Sequence, residues 1–151
     1  MRYLFLLLPA ILLSSPIDSI AVNLIKKHEG FVSKPYKDNG HFSVGYGTNI
    51  SYITEKEATY LLNSRLRRFH HRLAELSWYR ELDTVRQTAI LNMTYTVGYR
   101  GILKFKDMIH NLTHHNYESA VLAMIDSRWY RQTGNRSKEL VYMMRSGQYK
   151  E

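Results

Sequence analysis

The sequence has no cysteine, no internal repeat, no low-complexity tract and no apolar run long enough to cross a membrane as a helix. Without cysteine, an exported form of the chain would have to hold together by packing alone, without disulfides. The longest apolar run, residues 3–13, is eleven residues long, whereas a spanning helix needs about 20. With 151 residues and 44% apolar composition, the chain fits one globular domain, or two lobes that share a helix.

Positive charge dominates the composition. Lysine and arginine total 21 against 13 acidic residues, which gives a net charge of +8. Such an excess predicts an anionic partner, either nucleic acid or an acidic polymer. The basic residues are scattered, with the densest run at residues 65–68, and no nucleic-acid-binding signature is visible. We therefore expect an acidic polymer as partner and no nucleic acid.

Residues 1–19 differ in character from the rest of the chain. Arg2 precedes the apolar run, and Ser14, Ser15 and Pro16 follow it. A short basic region before an apolar core predicts a secretory signal. Asp18 disfavours a longer spanning segment because a carboxylate is costly in hydrocarbon. A cleavable signal peptide, a signal-anchor that later leaves the membrane, and an apolar helix packed on the domain remain as interpretations. Residues 20–151 are then the folded domain.

The region after residue 19 predicts a helix followed by a β-hairpin. Apolar residues recur with helical spacing over residues 19–29, and Gly30 is a natural stop. Asn39-Gly40 separates two strand-like runs, residues 34–37 and 42–46, which is a strong hairpin signal. Residues 48–52 form a loop or a short third strand. The glycines at positions 45 and 47 predict that other atoms approach the backbone closely there.

The rest of the chain predicts helices. Residues 54–57 have the pattern of a capping box, and they open a long helix. Its apolar stripe is expected to be core: Ala58, Leu61, Leu62, Leu66, Phe69, Leu73 and Leu76. Later helices begin after the cap Asp83, run over residues 105–112, begin at Asn116, and extend from the cap Asn135 to Arg145. His70 and His71 point about 100° apart on a helix, so no shared metal is expected.

These elements predict an α+β fold in which a small N-terminal lobe with a hairpin is joined by a long helix to a helical C-terminal lobe. The candidate chemistry lies at the start. Glu29 falls in the last turn of the first helix, where the helix dipole favours its protonated form. Asp38 stands at the shoulder of the hairpin and Ser43 on the returning strand. Two carboxyl groups across a cleft suit cleavage of a glycosidic bond. The alternative is a solvated Glu29 and an Asp38 that only forms the turn.

Several short motifs occur along the chain in the same order as in a known family. Those near the start are residues 25–30, 36–38 and 44–47, and those near the end are residues 82–86, 91–93, 127–130, 132–133, 135–136 and 145–147. Together they resemble the phage-type lysozymes, glycoside hydrolase family 24, and the C-terminal part resembles the T-even phage endolysins in particular. The likeness covers about residues 19–149. Ser43 stands where the family usually has threonine, the hairpin is one residue shorter, and the loop between residues 47 and 53 is also shorter.

The resemblance implies a muramidase that hydrolyses the β-1,4 bond between N-acetylmuramic acid and N-acetylglucosamine in peptidoglycan. Glu29 would be the acid, and Asp38 with Ser43 would hold and activate a water, as in an inverting enzyme. Asn49 and Tyr95 match positions that contact sugar, and Asn92 and Trp129 are expected to be structural.

Arg136 matches a family arginine near the acid and either supports catalysis or ties the lobes together. We further expect a monomer without metal or cofactor, exported to the periplasm of the host for lysis, with transient inner-membrane association through residues 1–19.

Two other functions stay open. A lytic transglycosylase acts on the same bond but leaves an anhydro sugar and needs no water-activating carboxylate. A wall-binding module without activity would keep the fold and the charge.

Overall fold

The computed structural model describes residues 19–149. The chain divides into two compact units, residues 1–54 and 55–151; below, the first unit means residues 19–54 and the second unit residues 55–149. The predicted signal peptide or signal-anchor lies outside the described residues apart from its last position, so it stays a prediction. Within residues 19–149, no helix combines the length and apolar character that crossing a membrane requires.

The first unit is one helix followed by a small antiparallel sheet. Its elements are α1 (Ser19–Glu29), β1 (Val32–Asp38), β2 (His41–Gly45) and β3 (Thr48–Asn49). The strands pair in the order β1-β2-β3. The predicted helix and hairpin are therefore confirmed, and the segment after the hairpin is a short third strand.

Positive-φ residues end the helix and turn the hairpin in this unit. Gly30 ends α1 with φ 66°, and its N–H donates to the carbonyl of Lys26 at 3.2 Å. Asn39 and Gly40 turn the hairpin with φ of 43° and 90°, as a two-residue hairpin turn requires. The turn fixes the register so that Asp38 pairs with His41 and Tyr36 with Ser43, and the register shifts once between Val32 and Tyr36.

The second unit is built from helices. They are α2 (Glu55–Ala74), α3 (Ser77–Arg80), α4 (Thr84–Val97), α5 (Tyr99–Ile102), α6 (Lys106–Thr113), α7 (Tyr117–Asp126), α8 (Arg128–Thr133) and α9 (Asn135–Ser146). The predicted cap Asp83 is confirmed, and Asn116, predicted as a helix start, is the N-cap of α7; each accepts a backbone N–H of its helix. The sequence prediction missed α3, α5 and α8, because helices this short carry too little periodic pattern.

One predicted cap is wrong. Asn135 is the first residue of α9, and Gly134 occupies the N-cap position with φ 56°. The positive φ explains the difference, because the chain turns at the glycine. Ser137 supports this start by donating to the carbonyl of Gly134 at 2.8 Å and to that of Tyr130 at 2.9 Å.

The hydrophobic core lies in the second unit, between Leu73 and Met144. The prediction that the whole apolar stripe of α2 is core is wrong. Leu73 is buried, but Leu61 and Leu62 are 52% and 39% exposed. Leu62 and Leu66 line an open groove of about 340 Å³ together with Leu91, so this part of the stripe faces a groove and not packed side chains.

Arg86 joins three helices of the second unit. Its guanidinium donates to the carbonyls of Met144 at 2.8 Å and Arg145 at 3.1 Å, at the end of α9. It also lies 3.8 Å from the ring centre of Tyr117 on α7 and forms an ion pair with Asp83. Desolvation by burial raises the pKa of the Asp83 carboxyl, but hydrogen bonds from Arg86 and its charge outweigh this and leave that pKa below its ordinary value.

Candidate active site

The carboxyl group of Glu29 lies against the turn between β2 and β3. A Cβ atom built on Gly47 would come within 3.0 Å of Glu29 Oε2, and Gly47 has φ 72°. Any side chain at position 47 would therefore displace the carboxyl group. The predicted close approach is confirmed at Gly47. It is wrong at Gly45, where no described atom lies within 4 Å of the Cβ position, and the glycine is explained by its φ of 71° alone.

Asp38, Ser43 and Asn49 lie on one face of the sheet. Ser43 pairs with Tyr36 on β1 and with Asn49 on β3. Paired residues share a face, and so do residues two apart on a strand. Asp38, two residues after Tyr36, is thus on the same face as Ser43 and Asn49. Three of the residues predicted from the sequence are brought together in this way.

The Ser43 hydroxyl is buried without a partner. The side chain is 0% exposed, and its Oγ has no hydrogen bond within the described part of the chain. Two other polar side chains in residues 19–149 are fully buried, Thr94 and Ser137, and both donate to backbone carbonyls. A buried hydroxyl left unpaired costs about 1–3 kcal/mol. The hydroxyl is also closed to solvent, so a bound molecule could reach it only if neighbouring side chains move.

The two carboxyl groups lie toward opposite ends of β2. Asp38 pairs with His41, the first residue of β2, whereas Gly47, which Glu29 contacts, follows its last residue. Four residue steps of about 3.3 Å separate His41 from Gly45, so the span is roughly 13 Å. Ser43 is midway.

His41 is a site residue that the sequence reasoning missed. Its Nε2 lies 3.9 Å from Asp38 Oδ2, and both side chains are about one-third to two-fifths exposed, at 34% and 43%. The sequence could have predicted this contact, because a two-residue turn places the residues on either side of it opposite each other. A histidine at the third position after Asp38 therefore has to face it across the hairpin.

The remaining predicted site residues belong to the second unit. Arg136 donates from Nε to Asn92 Oδ1 at 2.8 Å, which confirms Asn92 as a hydrogen-bonded amide. Tyr95 lines the same groove as this pair, and it is partly exposed. Trp129 is buried in the core, as predicted, and donates to Thr96 at 3.2 Å. Among residues 19–149, no group of three or more histidine or acidic side chains is arranged to hold a metal ion.

The sequence matches a known protein family. Residues 26–146 match the family model described as phage lysozyme, a range that includes every candidate site residue of both units.

The chain is also similar to individual proteins. Probable T4-type lysozyme 1 of Dictyostelium discoideum is 23% identical over 83% of this chain and 93% of its own length. The pre-baseplate central spike protein Gp5 of Enterobacteria phage T4 is 30% identical over 66% of this chain and 18% of its own length. Probable T4-type lysozyme 2 of Dictyostelium discoideum is 29% identical over 48% of this chain and 43% of its own length. The chain thus spans less than half of the last two.

Proposed function

The chain belongs to the phage lysozyme family and is a glycoside hydrolase of the muramidase type, and from that premise we propose that it is an endolysin. Its substrate is the β-1,4 bond between N-acetylmuramic acid and N-acetylglucosamine in the peptidoglycan of a host cell. Cleavage of that bond weakens the wall and leads to lysis.

Glu29 is the general acid in this proposal. It protonates the glycosidic oxygen as the bond to the anomeric carbon breaks, which is the task of the first carboxyl group in a glycosidase. Its position supports the assignment, because Oε2 lies 3.0 Å from the Cβ position of Gly47 and so places the carboxyl group against the β2–β3 turn. Positioning of this kind is what makes general-acid catalysis efficient.

Asp38 and Ser43 hold the attacking water. Asp38 accepts a proton from the water while the Ser43 hydroxyl orients it, and the water attacks the anomeric carbon from the face opposite the leaving group. The reaction therefore inverts the configuration, from a β bond to an α product. The observation that supports this step is the register of the hairpin, which places Asp38 and Ser43 on the same face of the sheet.

The other candidates have supporting roles. Asn49, on the same sheet face as Ser43, contacts sugar, and so does Tyr95. Arg136 supports the acid electrostatically. The hydrogen bond from Arg136 to Asn92 favours this role, since it fixes the guanidinium through Nε and leaves its terminal nitrogens to act on a substrate or a carboxyl group.

The net charge of +8 draws the enzyme to its substrate. Peptidoglycan carries carboxylates, so long-range attraction holds a basic protein on the wall. Raising the salt concentration should weaken wall binding and lysis, because the screening length falls from about 10 Å at 0.1 M to about 3 Å at 1 M. Lysis that is indifferent to salt over this range would contradict this part of the proposal.

Product analysis tests the reaction. Muropeptides released from purified peptidoglycan should carry reducing ends by mass spectrometry, and the first anomer seen by NMR should be α. Anhydro ends would instead identify a lytic transglycosylase, and a β anomer would rule out inversion.

A variant of the acid tests its role. Glu29→Gln should lower the rate by about 10²–10⁴-fold, the usual contribution of a general acid, while wall binding persists. Glu139→Gln, an exposed change on α9, is the matched control and should keep wild-type activity. Lysis that survives Glu29→Gln would remove Glu29 as the acid. Wall binding without hydrolysis by the wild-type chain would identify a binding module.

Export through residues 1–19 has a separate test. Expressed without a pore-forming partner, the full chain should reach the periplasm and lyse the cells, whereas a chain starting at residue 20 should stay inside and leave them intact. Equal behaviour of the two chains would contradict the export proposal. N-terminal sequencing of the mature protein distinguishes a cleaved signal from an anchor.

A further inference from the structure

Two aromatic rings form an exposed pair at the end of α1. Phe31 and Tyr46 have ring centres 5.4 Å apart, tilted by 53°, yet they remain 67% and 38% exposed. Phe31 directly precedes Val32, which pairs with Gly45, and Tyr46 directly follows Gly45. The two rings thus occupy the next cross-strand position beyond the paired strands.

A lysine completes this group. Lys26 Nζ lies 5.6 Å from the ring centre of Tyr46, within the range at which an ammonium is attracted to an aromatic face. Lys26 is one turn before the end of α1, and its carbonyl accepts the N–H of Gly30. Lys26, Phe31 and Tyr46 therefore come from three separate segments, and we call them the aromatic–lysine corner.

The corner is continuous with the proposed acid. Phe31 is two residues after Glu29, and Tyr46 directly precedes Gly47, which the Glu29 carboxyl group contacts. The rings therefore directly adjoin, along the chain, the segments that carry Glu29 and Gly47.

Packing does not explain the pair. All the buried hydrophobic side chains among residues 21–149 lie in the second unit, so the rings belong to no described core of the first unit. Exposed apolar groups that contact one another, bordered by a charge, are typical of binding surfaces. Aromatic faces bind the apolar C–H faces of sugar rings, and an ammonium pairs with a carboxylate. The peptidoglycan strand offers both, because its muramic acid units carry carboxylate-bearing substituents.

We propose that the aromatic–lysine corner is a binding subsite for the glycan strand, next to Glu29. Phe31 and Tyr46 stack on a sugar ring, and Lys26 pairs with a carboxylate of an adjoining muramic acid unit. The inference rests on the proposed peptidoglycan substrate and adds to it residues that bind the strand without taking part in bond cleavage.

Binding is measured in the inactive Glu29→Gln background, by depletion of the protein from solution with purified insoluble peptidoglycan. Phe31→Ala combined with Tyr46→Ala should weaken binding by about tenfold or more, in the range given by the loss of one or two stacking contacts. Phe42→Ala and Tyr52→Ala remove other exposed rings of the same unit and should bind as the background does. Equal binding by the double variant and these controls would overturn the proposal.

The lysine has a matched control beside it. Lys26→Gln and Lys27→Gln change the net charge equally, but only Lys26 lies over a ring in the described part of the chain. At low salt, Lys26→Gln should weaken binding several-fold more than Lys27→Gln, and the difference should vanish near 1 M salt. Equal effects of the two variants would remove the specific role of Lys26.

Turnover in the Glu29 wild-type background separates this inference from the proposed function. The double aromatic variant should raise KM while kcat stays within about twofold, and its far-UV spectrum and thermal midpoint should match the wild type. A fall in kcat with unchanged KM would overturn a binding role. If the wild-type chain released no muropeptides at all, the proposed function would fail, and the binding comparison would still decide the inference.

Discussion

The two units place their apolar side chains in opposite ways. In the second unit they form one core, from Leu73 to Met144. In the first unit, Ser43 is the one fully buried side chain among residues 21–54, and large apolar groups such as Leu24, Ile25 and Phe42 are exposed.

The side chains that stabilise the fold and most of those proposed to act on the substrate therefore lie in different units. Burial of apolar surface is the main source of folding free energy, and it is concentrated in the second unit. The first unit holds the proposed acid, water-binding groups and sugar-stacking rings, and its one buried side chain is a hydroxyl that has no described partner. The predictions below test this division, in order of the expected change in the free energy of unfolding.

Truncation of a core side chain should give the largest effect. Ile90 is fully buried on α4. Ile90→Ala should lower the free energy of unfolding by about 2–5 kcal/mol, because the substitution leaves a cavity. Phe42→Ala in the first unit should cost less than about 0.5 kcal/mol, as is usual for exposed positions. Urea unfolding measures both. Similar losses for the two variants would contradict the contrast between the units.

Removal of Arg86 should come second. Arg86→Ala leaves the carbonyls of Met144 and Arg145 without this donor and should cost about 2–3 kcal/mol. Arg86→Lys should recover only part of this loss, because an ammonium cannot reproduce the planar set of donors. Arg145→Ala removes an exposed ion pair with Glu118 and should have a smaller effect.

The Arg86–Asp83 pair also makes part of this stabilisation depend on pH. The folded-state pKa of Asp83 is lowered, so the stabilisation is present above about pH 4 and is lost as the pH falls through that lowered value.

Alkaline pH should destabilise the second unit through Tyr79. Burial raises the pKa of its hydroxyl from 10.0 to about 12, and the hydroxyl lies 3.1 Å from His70 Nδ1. A raised folded-state pKa gives stability that is complete below about pH 10 and is lost as the pH rises through 12. The loss should be on the order of 2 kcal/mol. It should disappear in Tyr79→Phe, and an equal loss in that variant would assign the effect to other groups.

Ser43→Ala should give the smallest change in stability, within about 0.5 kcal/mol, because the hydroxyl has no described partner to lose. Its rate of peptidoglycan hydrolysis should nevertheless fall by about 10–100-fold. Ser137→Ala, in contrast, removes hydrogen bonds to two carbonyls and should cost about 1 kcal/mol without changing the rate. An unchanged rate in Ser43→Ala would leave Ser43 with a structural role only.

The sequence predicted those parts of the fold that depend on local chemistry. The Asn39-Gly40 turn and Gly30 need positive φ, and the caps Asp83 and Asn116 satisfy backbone donors of the next turn, so each can be recognised within a few residues. The turn also fixes the register, and the register places Asp38 and Ser43 on one face. The sequence analysis predicted the Asn39-Gly40 turn, the stop at Gly30, the cap Asp83 and a helix start at Asn116.

Long-range features could not be read from the sequence. The exposure of Leu62 depends on a groove whose other side comes from α4, about 30 residues later. Arg86 bonds to carbonyls 58 and 59 residues away, which no local pattern reveals. The sequence predicted that some atom approaches Gly47 closely, but it did not identify Glu29 as the residue that supplies it.

Helix α2 has a consequence for dynamics. Its early turns carry exposed leucines, whereas Leu73 near its end is packed into the core. Local unfolding requires less free energy where fewer apolar contacts have to be broken. Deuterium should therefore replace the amide hydrogens of the early turns soonest and those around Leu73 last, so that one continuous helix records a gradient of protection along its length.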